Sequence, residues 1–294
     1  MSGQVKLTIA IPTYNRARSL IRLLDQIRKQ LTQDDELLVV NDCSTDNTSK
    51  SLASRSELRV VENRSNLGMV RTWNRCLEEA ENEWVCIIHD DDLLSDNALK
   101  TIRRSCEALN QPGLVGHVKA GMVADCGLHY VFREPGPLSV MRANFLPSGV
   151  SIHKKIFHRL GGFNESFLYS PDIEYFARVA SFYPILLVEN PSIIEYQQHS
   201  ANHQYQTWMK DDFFIQLTSL EKRVIEYANL KGVEADRFYK ERMNAHFSHI
   251  LRVSSLSSNS KLQKEMCGRL LNMPETSRRN RVRAALGKII RWIP

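Results

Sequence analysis

Short apolar segments alternate with helically spaced segments over the first third of the chain. The apolar runs at residues 5–11, 36–41 and 58–61 each have the length of a buried strand. Leucines and isoleucines recur at helical spacing from Leu20 to Leu31, and a second helical pattern covers residues 68–80. Strands and helices that alternate in this way predict a doubly wound, parallel α/β sheet.

A further apolar run, residues 84–88, is followed by His89 and three consecutive aspartates, Asp90, Asp91 and Asp92. Adjacent carboxylates repel one another unless a cation offsets their charge, and oxygen ligands of this kind suit Mg²⁺ or Mn²⁺. The alternative is a solvated acidic turn before a helix, because aspartate is also a good N-cap residue. The triplet by itself leaves both interpretations open.

Three of the four predicted strands end in polar residues. In doubly wound sheets, ligands bind beyond the carboxyl ends of the strands, so these sets are expected to meet at one edge. The first set is Thr13, Tyr14 and Asn15, the second is Asn41 and Asp42, and the third is the aspartate triplet. Solubility alone does not explain three polar sets at one edge, so we predict a ligand site there.

Five segments in order resemble the family 2 glycosyltransferases, which are inverting enzymes with a nucleotide-sugar donor and the GT-A fold. The segments are IPTYNR (11–16), VVNDCSTDNT (39–48), the stretch from NLGMV to HDDDLL (66–94), GGFNE (161–165) and the acidic helix start at Asp172. Each segment alone is weak evidence, but five in the same order are specific.

The resemblance implies an α/β fold of the GT-A type. This fold is a doubly wound mixed sheet with a Rossmann-like nucleotide-binding half, and a helical C-terminal extension is expected to follow it. We predict a glycosyltransferase domain at residues 1–207 and a helical region at residues 208–294, because the sequence pattern turns helical from about Trp208.

The resemblance also implies a nucleotide pocket. Its predicted residues are Pro12, Thr13, Tyr14, Asn15, Asp42, Asn66, Gly68 and Asp90. Tyr14 is expected near the base, and Asp42 is expected to accept a hydrogen bond from the uracil ring, as a carboxylate can. The alternative for Asp42 is a helix cap. Uridine is favoured, although Asn41 stands at a position that is often acidic in the family.

The same resemblance implies a divalent cofactor, Mn²⁺ or Mg²⁺, held by Asp91, Asp92 and His199. Aligning the triplet on the family pattern Asp-x-Asp-Asp places His89 at the first carboxylate and Asp90 at the variable position. The alternative register, in which Asp90, Asp91 and Asp92 form an Asp-x-Asp pattern, stays open. In neither register is His89 expected to bind the metal, and donation to phosphate or ribose is one role that stays open for it. The cation would stabilise the departing diphosphate.

Asp172 matches the family's catalytic base. An inverting transfer is a single in-line displacement, in which a base accepts the proton of the attacking hydroxyl group. Glu174 is the substitute candidate. The alternative role for Asp172 is helix capping, because Ser170 and Pro171 also suit a helix start.

The C-terminal tail carries the net charge of the chain. The chain has a formal net charge of +6, and residues 278–294 contain six Lys and Arg residues and no acid, so the remainder is neutral overall. A basic amphipathic helix ending near Trp292 predicts binding to an anionic inner-leaflet membrane surface. Packing on the domain is the alternative. The neutral body argues against a nucleic-acid partner.

Together these features predict a metal-dependent inverting glycosyltransferase. It would move a sugar from a nucleotide-sugar donor, a UDP-sugar by preference, to a hydroxyl group of a glycan or lipid-linked glycan acceptor in bacterial surface polysaccharide synthesis. A cytoplasmic location, peripheral on the inner face of the membrane, is expected because no signal peptide or membrane span is evident. A dehydrogenase is disfavoured because no G-x-G-x-x-G follows a strand. A non-catalytic nucleotide-sugar or glycan-binding relative is the alternative.

Overall fold

The computed structural model describes most of the chain. The described residues are 4–118, 129–133, 136–142, 147–189, 193–195, 210, 212–256, 260–272, 277, 280–281 and 284. The chain forms two compact units, Met1–Gln197 and Gln198–Pro294. The domain boundary predicted at residue 207 falls outside the described residues and stays a prediction.

The first unit is an α/β structure. Its strands are β1 (Leu7–Thr13), β2 (Glu36–Asn41), β3 (Arg59–Glu62), β4 (Trp84–Ile87), β5 (Leu93–Leu94), β6 (Leu114–Val118), β7 (His129–Arg133), β8 (Val150–His153), β9 (Ile185–Glu189) and β10 (Ile194–Glu195). Its helices are α1 (Ala17–Arg28), α2 (Thr48–Leu52), α3 (Met69–Glu79), α4 (Ala98–Leu109), α5 (Pro137–Arg142), α6 (Lys154–Leu160) and α7 (Pro171–Ala180).

The main sheet is mixed. Its strand order in the described part of the chain is β3-β2-β1-β4-β8-β6-β9-β7, and β5 pairs separately with β10. Strands β1 to β4 run parallel, β8 runs antiparallel to β4 and to β6, and β7 runs antiparallel to β9. The beginning of β8 therefore lies at the edge of the sheet where β1, β2 and β4 end.

Both faces of the sheet are covered by helices, as in a doubly wound fold. On one face, Leu20, Leu23 and Leu24 of α1 pack with buried residues of α4 and with the side chains of β1 that face them. On the other face, α3, α6 and α7 supply buried residues such as Trp73 and Tyr175. Burial on both faces explains why the strands read as continuous apolar runs rather than alternating ones.

The prediction that β1 stops before Pro12 is wrong, because the strand continues to Thr13. Its pairing with β4 runs from Leu7 to Ala10, whereas its pairing with β2 continues to Thr13. Beyond Ala10 the strand thus has one neighbour in the sheet. A proline is tolerated there, because its missing N–H leaves no donor unpaired on the open side.

The second unit is helical, as predicted. It contains α8 (Phe213–Tyr227), α9 (Gly232–Leu256) and α10 (Ser260–Asn272). Glu221 is fully buried in this unit and accepts hydrogen bonds from Arg242, and its carboxylate lies 2.5 Å from Nε2 of His246. This ionic cluster ties α8 to α9. None of the helices in the described ranges combines the length and the apolar character that a bilayer span requires.

Candidate active site

Thr13 and Asp90 connect the ends of β1 and β4. The Thr13 hydroxyl donates to Oδ2 of Asp90 over 2.7 Å, and both residues are buried. Burial raises the pKa of Asp90 to about 7, although the Thr13 hydroxyl and the charge of Arg16 oppose the shift. Asp90 is therefore turned into the strand junction, which agrees with its predicted place at the variable position of the motif.

Arg16 contacts the aspartates from the loop after β1. Its guanidinium hydrogen-bonds to Asp91 and lies 3.7 Å from Oδ1 of Asp90. Burial lowers the pKa of Arg16, but the charges of Asp90 and Asp91 outweigh this effect and raise the pKa overall. The contact joins residues that are 75 positions apart in the sequence. It brings a permanent positive charge to the acidic edge of the sheet.

His89, Asp91 and Asp92 form a candidate ligand set for a metal ion. One ligand atom from each residue lies within 4.8 Å of the others, and no other group of this kind occurs in the described part of the chain. Nε2 of His89 is buried without a hydrogen-bond partner among the described residues. Carboxylate groups suit Mn²⁺ and Mg²⁺, so Asp91 and Asp92 fit the predicted cofactor. The sequence motif alone did not predict His89 as a member of the ligand set.

His89 and Asp172 line the same small cavity. The cavity is narrow, and its other walls are apolar or aromatic, including Trp73 and Phe163. The His89 ring stacks on Trp73, with centroids 5.2 Å apart and the planes at 21°. Burial lowers the pKa of His89. The cavity therefore places the predicted base on the same cavity wall as His89, the residue that precedes the aspartate triplet.

Asp172 lies in the first turn of α7 and is half-buried. Burial raises the pKa of its carboxyl group to about 6, against hydrogen bonds from its own N–H and that of Ile173. Ser170 is the N-cap residue, as predicted, but it has a φ of +54° and its side chain makes no capping hydrogen bond. A carboxylate with a pKa near neutrality suits a general base.

Glu174, the substitute candidate for the base, is engaged elsewhere. It is 1% exposed, and its carboxylate accepts hydrogen bonds from Nε and Nη2 of Arg178. Arg178 also donates to the backbone oxygens of Leu160 and Gly162. The pair holds α7 against the loop that contains GGFNE, so its geometry supports a structural role.

Asp42 anchors the start of α3. It is 3% exposed, and its carboxylate accepts hydrogen bonds from the backbone N–H groups of Leu67 and Gly68 and from the side chain of Asn63. Gly68 has a φ of +84°, a conformation that other residues rarely adopt. These bonds match the helix-cap alternative. The predicted contact of Asp42 with uracil stays a prediction.

The other predicted nucleotide residues shape the same edge. Oδ1 of Asn15 accepts hydrogen bonds from the backbone N–H groups of Thr45 and Asp46, which holds the loop after β2 to the loop after β1. The neighbouring Tyr14 is 44% exposed. Pro12 is half-buried within β1, and Asn66 donates to the backbone oxygen of Asp42 over 3.5 Å. An exposed aromatic ring at this edge can receive a base.

Asn74 of α3 holds the GGFNE loop. Its side-chain amide donates to the backbone oxygen of Phe163 over 2.9 Å and accepts from the Phe163 N–H over 2.7 Å. A Cβ atom at Gly162 would clash with the Asn74 side chain, so the loop requires a glycine at this position. Nearby, the Ser148 hydroxyl accepts a hydrogen bond from the backbone N–H of His89.

Thus the structure brings the described members of the predicted site to one edge of the sheet. His199 and nearly all of residues 278–294 lie outside the described residues. The sequence analysis missed Arg16, Trp73 and Asn74 as site residues. Arg16 and Asn74 belong to the segments that carry the family resemblance, but nothing local in the sequence indicates their long-range contacts.

Residues 8–121 match the family model described as Glycosyl transferase family 2. Over this range, which is less than half of the chain, the sequence is similar to this family. The matched range runs from β1 to just beyond β6 and contains Thr13, Arg16, Asp42 and the aspartate triplet. The predicted resemblance is therefore confirmed over this range, which contains the residues predicted for the nucleotide pocket. Asp172 lies outside it.

The chain is also similar to two curated bacterial proteins. An uncharacterised glycosyltransferase of Haemophilus influenzae is 20% identical over 198 residues, which cover 65% of each chain. The poly(ribitol-phosphate) beta-N-acetylglucosaminyltransferase TarS of Staphylococcus aureus is 23% identical over 276 residues, which cover 89% of this chain and 47% of TarS. The chain spans less than two thirds of the length of either relative.

Solved structures confirm the predicted GT-A fold. Residues 1–349 of Staphylococcus aureus TarS, crystallised in complex with UDP-GlcNAc, superpose with a TM-score of 0.68 at 20% identity, covering 97% of this chain and 88% of that one. The mannosyltransferase PcManGT of Pyrobaculum calidifontis, in complex with GDP-Man and Mn²⁺, gives a TM-score of 0.59 at 18% identity, covering 98% and 88%. At these identities the likeness shows the fold alone.

Proposed function

We propose that the chain is a metal-dependent inverting glycosyltransferase. It transfers a sugar from a nucleoside-diphosphate sugar to a hydroxyl group of a glycan or lipid-linked glycan. The observation that carries the proposal is the shared cavity, which joins Asp172 to His89 beside the acidic cluster. A base for the acceptor and a charged cradle for the leaving group are the two parts that this reaction requires.

The proposed chemistry divides between two sides of the site. Asp172 accepts the proton of the acceptor hydroxyl while that oxygen attacks the anomeric carbon and the bond from carbon to the diphosphate breaks. His89, Asp91 and Asp92 would hold the divalent ion. When bound, this ion supplies positive charge that stabilises the departing diphosphate. Thr13 and Asp90 fix the strand ends that carry these groups.

A uridine donor is our preferred choice. TarS was crystallised with UDP-GlcNAc and PcManGT with GDP-Man, so relatives of this fold accept different nucleotides. The preference for uridine rests on two residues of the predicted pocket. Asp42 matches the family position that accepts a hydrogen bond from uracil, and the ring of Tyr14 is exposed. The TarS name also supports a cell-surface polymer as the acceptor class.

We also propose that the tail, residues 278–294, holds the enzyme at an anionic inner-leaflet membrane surface, which would suit a lipid-linked acceptor. This proposal rests on the sequence, because the tail lies outside the described residues apart from residues 280, 281 and 284. Its six cations and its apolar face are the supporting observations.

Nucleotide-sugar binding tests the proposed function directly. The melting temperature is measured with UDP-sugars and GDP-mannose, with and without Mn²⁺, for the native chain and for Asp91→Ala. A ligand at one hundred times its Kd stabilises the native state by about 2.7 kcal/mol. We expect selective, Mn²⁺-enhanced stabilisation that Asp91→Ala lacks. No response to any nucleotide-sugar would refute the proposal, and binding without transfer to any acceptor would favour the non-catalytic alternative.

A further inference from the structure

Arg16 contributes a charge that the proposed mechanism does not yet use. It is the N-cap residue of α1 and follows directly on the polar end of β1. Its guanidinium contacts Asp91, a predicted metal ligand, and lies 3.7 Å from Asp90. Its side chain is 32% exposed, so it is held by these carboxylates rather than by close packing.

We propose that Arg16 is a catalytic residue with two alternative partners. It neutralises Asp91 when no divalent cation is bound, and it contacts the diphosphate of the donor when the cation and nucleotide are bound. The inference rests on the proposed nucleotide-sugar function and deepens it by assigning a leaving-group contact.

Competition for Asp91 is the first part of the argument. The carboxylate that accepts the hydrogen bond of Arg16 belongs to the same ligand set as His89 and Asp92. A guanidinium and a divalent ion repel each other, and one carboxylate cannot give its full interaction to both. Arg16 must therefore give up at least part of its contact when Asp91 becomes a ligand.

The group that Arg16 contacts after it releases Asp91 is the second part of the inference. The guanidinium already lies at the carboxyl edge of the parallel strands, where ligands of doubly wound sheets bind. Its planar fork matches a phosphate group with two hydrogen bonds, and it stays charged at every physiological pH. Once Asp91 binds the metal ion, the diphosphate of a nucleotide-sugar bound at this edge would lie within reach of Arg16 and could accept its hydrogen bonds.

Metal binding to the protein without nucleotide tests the first part. Free Mn²⁺ is measured by electron paramagnetic resonance during titration of the native chain, Arg16→Met and Arg16→Lys. Arg18→Met is the matched control, because Arg18 is an exposed arginine two positions further along α1. We expect Arg16→Met to bind Mn²⁺ about five-fold more tightly, since it lacks the competing charge. Arg16→Lys and Arg18→Met should resemble the native chain.

Nucleotide binding in saturating Mn²⁺ tests the second part. Calorimetric titration with UDP and with uridine separates the diphosphate from the nucleoside. Loss of a two-bond arginine–phosphate contact should weaken UDP binding about ten-fold or more in Arg16→Met, and less in Arg16→Lys, while uridine binding stays unchanged. Thermal unfolding of each variant shows whether the fold is intact.

The results separate the two proposals. If Arg16→Met binds Mn²⁺ no more tightly than the native chain, or weakens UDP and uridine equally, Arg16 is only a structural partner of Asp91 and the inference is wrong. If the native chain binds no nucleoside diphosphate at all, the proposed function is refuted and the inference falls with it. Tighter Mn²⁺ binding together with a loss specific to UDP supports the inference.

Discussion

Replacing Asp172 by asparagine is expected to remove transfer while leaving donor binding nearly intact. The amide has the shape of the carboxyl group but cannot accept the proton of the acceptor hydroxyl. Loss of a general base typically lowers the rate by about 10²–10⁴-fold. A transfer assay at saturating donor measures the rate, and equilibrium binding of UDP measures the donor site separately.

The pH dependence of the native enzyme follows from the pKa of Asp172, which burial raises from an ordinary value of 3.8 to about 6. With that pKa, about 90% of Asp172 is ionised at pH 7 and about 10% at pH 5. The kcat/KM value should therefore fall roughly ten-fold between these pH values. With an ordinary pKa, about 94% would still be ionised at pH 5 and the rate would hardly change.

The stability of the same variant distinguishes a base from a helix cap. The pKa of Asp172 is higher in the folded chain than in the unfolded chain. The free energy of unfolding therefore decreases as the pH rises from about 4 through about 6, because the buried carboxyl group loses its proton. Asp172→Asn removes this penalty, which amounts to at most about 3 kcal/mol at pH 8 and about 1.6 kcal/mol at pH 5.

Urea unfolding of both proteins at pH 5 and pH 8 measures this difference. Asp96→Asn is the control, because it removes one negative charge from an exposed position outside the cavity. If Asp172→Asn lowers the unfolding free energy equally at both pH values, Asp172 caps α7 and the base lies elsewhere. Near-normal turnover in this variant would contradict the reasoning as well.

Three further changes probe the rest of the chain. Asp91→Ala should abolish Mn²⁺-dependent nucleotide binding, whereas Asp90→Ala should retain it because Asp90 faces Thr13. Equal Mn²⁺ affinities of these two variants in a titration would show that the predicted register of the triplet is wrong. Gly162→Ala should lower the unfolding free energy by about 1–3 kcal/mol in urea, because its Cβ clashes with Asn74; unchanged stability would contradict the close approach. Truncation before residue 278 should reduce sedimentation with anionic liposomes, and equal partitioning of both forms would refute membrane binding by the tail.

Local sequence patterns predict much of the parallel half of the sheet. Strand β2 has the predicted bounds, and α3 differs from its prediction by one residue at each end. Strand β2 is a contiguous apolar run and α3 has apolar residues at helical spacing, so both elements carry a local signal. The end of β1 was predicted two residues early, because the tolerance of Pro12 depends on which neighbouring strand is present there.

The sequence gives less information about contacts within the site. The types and order of Asp42, Asp91 and Asp172 are enough to predict a site, since the family motifs contain them. The Arg16–Asp91 pair and the Trp73–His89 stack are formed by residues from different strands and helices. Such contacts depend on how the elements pack, and a single sequence carries no periodic or spacing signal for them.

The reversed direction of β8 has a consequence for how such an enzyme can diversify. Val150 pairs with Ile87, and the backbone N–H of Gly149 donates to the Ile87 oxygen, so the connection that enters β8 arrives beside the end of β4. Changes of length or composition in that connection would alter the cavity beside His89 and leave untouched the three strands that present Thr13, Asp42 and the aspartates. Under the proposed function, one nucleotide-binding frame could therefore serve many acceptors.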